Sequence, residues 1–323
     1  MKPWRAEIQQ HIQNWSQRLG NLEWWPKYVY HFTDVQNAAR ILSDGVLFSR
    51  AEVEIRERMA VDNASPEVIR QTRPEHTQFV RLYFRPRTPT QYRTEGIRPA
   101  QQRELGGAHC PVPIYFCFDA LEILSQETTE YSNGNMGSPR ASHSSQRDFF
   151  FSIPFQYVFH NGAFPPEARD EIVFHRNAEV LIPQRLSLEP FLKFIACRSA
   201  AERQTLLHLL PNDVGRKWES KIRLGEQGFF ERKWTYVEEV VVIDREVIKF
   251  RFNPSRELSS PFHVRVEYRE QNHPLPMLWE TQVAQIADVP PLRFRDATRG
   301  EIRLYLDDAL AFSDLVFFDD IPF

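Results

Sequence analysis

Tyr28-Val29-Tyr30-His31-Phe32-Thr33-Asp34 is the stretch on which the reading of this chain turns. Its aromatic and β-branched residues favour an extended strand. Residues two apart on a strand share a face, so His31 and Thr33 present an imidazole and a hydroxyl to one point in space. Asp34 then has the form of a helix N-cap: Val35, Ala38, Ala39, Ile41 and Leu42 supply an apolar side, and Gly45 a stop. Asn37 falls in the first turn of that helix, so strand and helix together offer a small polar pocket. Two readings of His31 stand at this point: a pocket residue, or the histidine of a half-buried strand that satisfies a backbone group.

Upstream, Trp4, Ile8, Ile12, Trp15 and Leu19 recur at helical spacing, which predicts a helix over 3–19 with one apolar stripe, ended by Gly20. This strut, within 1–26, is expected to pack on the domain that follows. The chain has 323 residues, more than one domain usually holds, so two domains are expected. With 42% hydrophobic and 13% aromatic residues it can bury a large core. A net charge of -3 and a pI near 6.4 give no global basic field, so nucleic-acid contacts must come from a local patch. Cys110, Cys117 and Cys197 are too few and too scattered for a disulfide framework or a zinc cage, which points to a reducing cytoplasm. Arg5, Glu7 and Gln9 stand where a signal peptide needs an apolar core, and no run reaches the roughly 18 apolar residues of a membrane span. A soluble intracellular protein without membrane contact is the expectation.

Downstream, residues 27–212 read as the first domain. A short strand is expected over 45–49, a charged helical segment over 52–59, and a helix over 66–73, where Ser65-Pro66 has the form of a cap followed by proline. Ile69 and Arg73 share a face of that helix, which places Arg73 either over the core edge or on a solvated surface. Residues 79–84 read as a strand. The two prolines and two arginines of 85–92 predict an extended, cationic segment. A second strand is expected over 111–118 and a helix over 120–124. Residues 128–147 have almost no aliphatic side chains and read as a loop, either plainly flexible or suited to phosphate contacts through its arginines and histidine. Glu179 precedes Val180-Leu181-Ile182, a buried strand by composition, so its carboxylate either faces solvent at the strand's start or faces a polar cleft. Another strand over 191–196 and a helix over 199–210 complete this part.

Taken together, the Tyr-His-Phe-Thr-Asp stretch with Asn37, the helical Arg73, the Phe79-Val-Arg-Leu-Tyr-Phe-Arg-Pro-Arg-Thr-Pro89 segment, Ser132-Asn-Gly-Asn135 and Arg176-Asn-Ala-Glu-Val-Leu181 resemble the DarT family of NAD-dependent ADP-ribosyltransferase toxins, in the same order. That family attaches ADP-ribose to bases of single-stranded DNA. The resemblance covers about residues 27–212 and implies an α+β fold, an ADP-ribosyltransferase-like split sheet with helices. It implies that His31, Thr33 and Asn37 hold NAD as co-substrate, with Tyr83 near the nicotinamide. It makes Glu179 the catalytic glutamate and Arg73 the catalytic arginine, with Arg70 the alternative because the spacing to the next strand is short. Arg85, Arg87, Asn133, Asn135, Arg140 and Arg147 would receive the nucleic acid. Such chemistry needs no metal. This chain has Arg-Thr-Pro-Thr where Arg-Ser-Pro-Met is usual, a departure that bears on the target base.

The implied role is a toxin or phage-defence effector that an antitoxin or regulatory partner restrains. The alternatives are transfer to RNA or protein, or a catalytically inactive nucleotide-binding protein. No Gly-x-Gly-x-x-Gly follows a strand, so hydride transfer on a dinucleotide-binding fold is not supported. From 213 to 323 the pattern changes to period two, with strands expected over 236–252, 262–268, 277–283, 292–294, 301–306 and 315–318 and a turn at 271–274. Such strands make a β-sandwich-like domain, either a stabilising appendage or a recognition module.

Overall fold

The computed structural model describes residues 1–57, 59–61, 74–103, 107–244, 247–253, 261–270, 275–286, 289–294 and 299–317. The expected helix over 66–73, with Arg70 and Arg73, and the turn at 271–274 lie outside the described residues.

The opening stretch is strand β1 (Tyr28–Asp34). It is followed by the short β2 (Val46–Phe48), β3 (Phe79–Tyr83), β4 (Pro113–Asp119), β5 (Glu130–Ser132), β6 (His143–Ser144), β7 (Glu179–Pro183), β8 (Arg185–Ser187), β9 (Leu192–Cys197) and β10 (Ile222–Leu224). Among the described residues, eight of these form one sheet in the order β10-β9-β4-β1-β3-β7-β5-β6, and β2 pairs with β8 beside it. β1 sits at the centre with two unlike edges. Toward β4 it is paired residue by residue, from Tyr28↔Asp119 to Asp34↔Pro113. Toward β3 the register holds a single pair, Tyr30↔Tyr83. The sheet is therefore split beyond Tyr30, on the side that carries His31 and Thr33.

Local chemistry explains how the flanks of the split are held. Asp34 caps the helix Val35–Asp44 by accepting from the Gln36 amide at 3.0 Å, and Gly45 ends it at φ 66°. Ser49 caps the helix Arg50–Ile55 in the same way. Residues 85–92 differ from the extended segment that their prolines predict. Arg87 turns at φ 57°, and Thr88 caps a helix Pro89–Thr94 by accepting from the Gln91 amide at 3.2 Å. Proline at the first helical position is compatible with a helix, because its missing N–H has no intrahelical partner there in any case. Within 128–147 the expected loop contains a hairpin, β5 with β6, and β5 also pairs with β7. Ladder hydrogen bonds are made by the backbone, so the lack of aliphatic side chains did not prevent it.

The N-terminal helix Arg5–Arg18 buries Ile8 and packs Trp4, Ile12, Trp15 and Leu19 against the first core. Beyond residue 212 the chain forms the helix Asn212–Trp218 and then β10, which runs parallel to β9 and extends the first sheet. Period two begins after that. β11 (Val237–Asp244), β12 (Val247–Phe252) and β15 (Leu292–Arg293) make one sheet. The other holds β14 (Met277–Val283), β13 (Phe262–Glu270), β16 (Arg299–Leu306) and β17 (Ala309–Phe317). Val237, Ile248 and Phe250 share one core with Val264, Tyr268 and Phe312, with Phe250 and Phe312 meeting edge to face at 6.0 Å, the sandwich-like arrangement expected. β17 starts earlier than 315 because Asp307 and Asp308, at φ 45° and 65°, close a tight hairpin after β16.

Candidate active site

The split between β1 and β3 opens into a cavity of about 430 Å³, within the size range of small-molecule sites. From β1 it receives His31 and Thr33, from the following helix Asn37, from β3 Arg81 and Tyr83, and from β7 Glu179. Glu179 stands almost a hundred and fifty residues from His31 in sequence, and the order β1-β3-β7 brings the two to one hollow.

His31 keeps both of its readings. Its Nδ1 lies 3.2 Å from the Arg81 carbonyl oxygen, and since that oxygen can only accept, Nδ1 carries the proton. The backbone bond thus fixes the tautomer, with Nε2 left as an acceptor. Burial pushes the imidazole down to about 4, so it is neutral near pH 7. Asn37 is used on both ends. Its Nδ2 donates to Thr33 Oγ1 at 3.2 Å and to the Val61 carbonyl at 2.6 Å, while its Oδ1 accepts from the Ala60 and Val61 amides at 2.8 and 3.1 Å. The side chain therefore clamps the 60–61 segment onto the helix.

Tyr83 pairs in register with Glu179 across β3 and β7, so the two side chains lie on one face. The ring stacks on Phe32 at 6.1 Å between centroids. Its hydroxyl bonds to Thr90, whose own hydroxyl donates to Asn177 Oδ1 at 3.2 Å. Burial and the neighbouring Glu179 carboxylate raise the phenol well above its ordinary range.

Glu179 faces the cleft rather than solvent and is only 2% exposed. The Ser132 hydroxyl accepts its backbone amide at 2.8 Å, which ties the start of β7 to β5. Burial pushes the carboxyl from 4.5 up to about 7, opposed by the Arg81 guanidinium and by an N–H bond from Met136. Arg81 Nε lies 3.6 Å from Oε2, an ion pair longer than a hydrogen bond, and Oε2 is buried without a hydrogen-bond donor.

Other residues expected at the site are placed differently. Asn135 lines the cavity. Arg85 does not: it is 2% exposed, donates to the carbonyls of Pro86 and Val158 at 3.0 and 3.1 Å, and lies over the Trp25 ring. A guanidinium so enclosed is a structural group, since reaching a phosphate would break buried hydrogen bonds. Arg87 pairs with Glu231 at 3.0 Å. Asn133 accepts from the Ser142 amide inside its hairpin. Arg140 pairs with Glu171, and Arg147 with Glu7 and Asp148, all on the surface outside the cavity. Arg81, Thr90, Arg93 and Asn177 line the cavity although sequence reasoning passed over them. For Arg81 a signal existed: an arginine between Val80 and Leu82 on a strand shares its face with Tyr83 two residues on.

Residues 30–230 match the family described as DarT, ssDNA thymidine ADP-ribosyltransferase. The chain belongs to the DarT family. It is an NAD-dependent ADP-ribosyltransferase, and the reaction of its family carries ADP-ribose from NAD to thymidine in single-stranded DNA. No curated protein matches it. Among solved structures it is similar to Thermus sp. 2.9 DarT in complex with ADP-ribosylated ssDNA, at 16% identity over 64% of this chain and 97% of that one, TM-score 0.49. The same Thermus protein in complex with NAD+ gives 16% identity, 64% and 98% coverage and a TM-score of 0.47. Thermosipho africanus DarTG in complex with ADP-ribose gives 14% identity, 69% and 55% coverage and a TM-score of 0.46.

The DarT cavity has the donor set that NAD calls for. A neutral imidazole acceptor and the Thr33 hydroxyl suit ribose hydroxyls and an amide, and Arg40 and Arg93 on the walls suit a pyrophosphate. Among the described residues, no group of three or more His, Cys, Asp or Glu could hold a metal ion, and no helix is long and apolar enough to cross a membrane.

Proposed function

We propose that this chain joins ADP-ribose to thymine in single-stranded DNA, with Glu179 as the base and His31, Thr33, Asn37 and Tyr83 as the residues that seat NAD. The observation that carries the reading is Glu179: an enclosed carboxylate, in register with Tyr83 and in one cavity with His31, with one oxygen that has no hydrogen-bond donor. NAD supplies the ADP-ribosyl group on a bond whose leaving group, nicotinamide, departs neutral. As that bond breaks, positive charge grows on the ribose, and the Glu179 carboxylate is placed to stabilise it. In thymidine the ring nitrogen that is not bound to deoxyribose carries a proton. As that nitrogen bonds to the ribose, its proton passes to Glu179.

Arg73, or Arg70, keeps the arginine role that the resemblance gives it, and Asn135 is the member of the 132–147 stretch that meets the acceptor at the cavity. The family supports a toxin or phage-defence role under the restraint of an antitoxin. The three free, buried cysteines support a reducing, cytoplasmic setting.

The test is incubation of the purified protein with NAD and oligonucleotides of DNA or RNA, with and without a single thymidine or uridine, followed by nucleoside mass spectrometry. A thymidine adduct carrying ADP-ribose from the DNA strand alone, absent with Glu179→Gln, is the expected result. An adduct that persists in Glu179→Gln, or that forms on protein or RNA instead, overturns the reading.

A further inference from the structure

We propose that Arg81 is a positioning residue for Glu179: its guanidinium, set beside the carboxylate without hydrogen-bonding it, favours the charged form of Glu179 while leaving Oε2 without a hydrogen-bond donor. The inference rests on Glu179 being the base. Register places the two side chains together, because Tyr83 stands opposite Glu179 and Arg81 is the same-face neighbour two residues back on β3. The separation of 3.6 Å from Nε to Oε2 decides what the pair does. A bidentate contact would occupy the lone pairs that must receive a proton and would hold the charge too firmly for the carboxylate to act as a base. With no cation, a carboxylate 2% exposed would stay protonated near pH 7.

Among the described residues, the other groups around the carboxylate do not substitute for this charge. From β1 the imidazole of His31 is neutral, and from β3 the Tyr83 phenol is likewise uncharged. From the 132–136 segment come the Ser132 hydroxyl and the Met136 amide. From the residues before β7 comes the Asn177 side chain. Arg93, on the helix Pro89–Thr94, and Arg40, Asp44, Arg50 and His76 line the same cavity, but the ion pair the structure shows for Glu179 is with Arg81. The backbone carbonyl of residue 81 holds His31, so a side-chain substitution there leaves the imidazole's partner in place.

The experiment is the pH profile of kcat for transfer to a thymidine-containing single-stranded oligonucleotide, for the wild type, Arg81→Gln, Arg81→Lys and Glu179→Gln. Removing the charge is expected to move the acidic limb upward by about one pH unit. That is about a tenfold loss on the acidic side with little change on the alkaline plateau, and with KM for NAD near the wild-type value. Arg81→Lys, which keeps a cation, is expected to restore the limb. Where the glutamine variant does not fold by thermal unfolding, Arg81→Met, of similar reach and no charge, is expected to show the same shift. An unmoved limb in a folded, uncharged variant, with Glu179→Gln inactive, overturns the role of Arg81 and leaves Glu179 as the base. Activity retained in Glu179→Gln overturns both.

Discussion

Glu179 and Glu202 are enclosed carboxylates beside an arginine, 2% and 0% exposed, and burial pushes each of them up to about 7. Around Glu202 the hydrogen bonding is complete. Arg198 Nε donates to it at 3.1 Å, Nη2 donates as well, and the Arg198 backbone amide adds a bond at 3.2 Å. The same guanidinium reaches the Pro111 carbonyl at 3.0 Å and Glu95 at 3.4 Å, and lies over the Tyr236 ring. Glu95 in turn accepts the Glu231 and Arg232 amides at 3.0 and 2.9 Å. Segments around residues 95, 200 and 232 are thereby knotted where the first sheet meets the C-terminal strands. Around Glu179 the arginine stands back and one oxygen has no donor. Similar burial thus gives a hydrogen-bonded structural tie at Glu202 and an unpartnered carboxylate oxygen at Glu179, where the proposed reaction needs one.

The largest effect that would sharpen this contrast is on turnover. Glu179→Gln is expected to lower ADP-ribosyl transfer by about 10²–10⁴-fold, the range for loss of a general base, measured as adduct formed per minute on a single-stranded oligonucleotide. Arg198→Ala should do the reverse. It leaves Glu95 and Glu202 buried without their cation, at a cost of about 3–5 kcal/mol in urea unfolding, while the fraction that stays folded keeps its activity per molecule. A stable Arg198→Ala protein would break the comparison.

The sign of the stability change at Glu179 is a further test. Its folded value of about 7 lies above the ordinary 4.5, so folding favours the protonated form. The penalty is absent below pH 4.5, grows as pH rises through that window, and is complete above about 7. Glu179→Gln is therefore expected to be more stable than the wild type by about 3 kcal/mol at alkaline pH, with the advantage gone near pH 4. Equal unfolding midpoints at both pH values would show that the carboxylate is better satisfied than its geometry implies. Asn37→Ala, which unclamps the 60–61 segment, is expected to cost about 1–3 kcal/mol, read as a raised KM for NAD. The smallest effect is the wild-type profile itself: the rate should climb about tenfold per pH unit below about 7 and level above it, since Glu179 must be ionised to take the proton.

Much of the frame was legible in local sequence, for a physical reason: caps, turns and periodicity are interactions between neighbours. Asp34 and Gly45 bounded a helix correctly, and the alternation from Phe262 to Tyr268 identified a half-wet strand. The helix Pro89–Thr94 departs from the extended segment expected of 85–92 because proline, excluded from helix interiors, fits the first turn. The hairpin in 128–147, and the pairing of β5 with a strand some fifty residues away, are made by backbone groups that side-chain composition does not report.

By itself, the sequence determined which residue types the site has at its disposal: the His31–Thr33 face, Asn37 one turn on, and a glutamate ahead of an apolar strand. Tertiary structure decided which of them meet. Strand order placed Glu179 opposite Tyr83 and near His31, the lone pair between β1 and β3 opened the hollow, and burial moved the carboxyl toward neutrality. It also withdrew Arg85 into the core and brought Arg81 forward, a choice no local pattern encodes, because an arginine's role depends on the carbonyls and carboxylates that the rest of the chain brings within its reach.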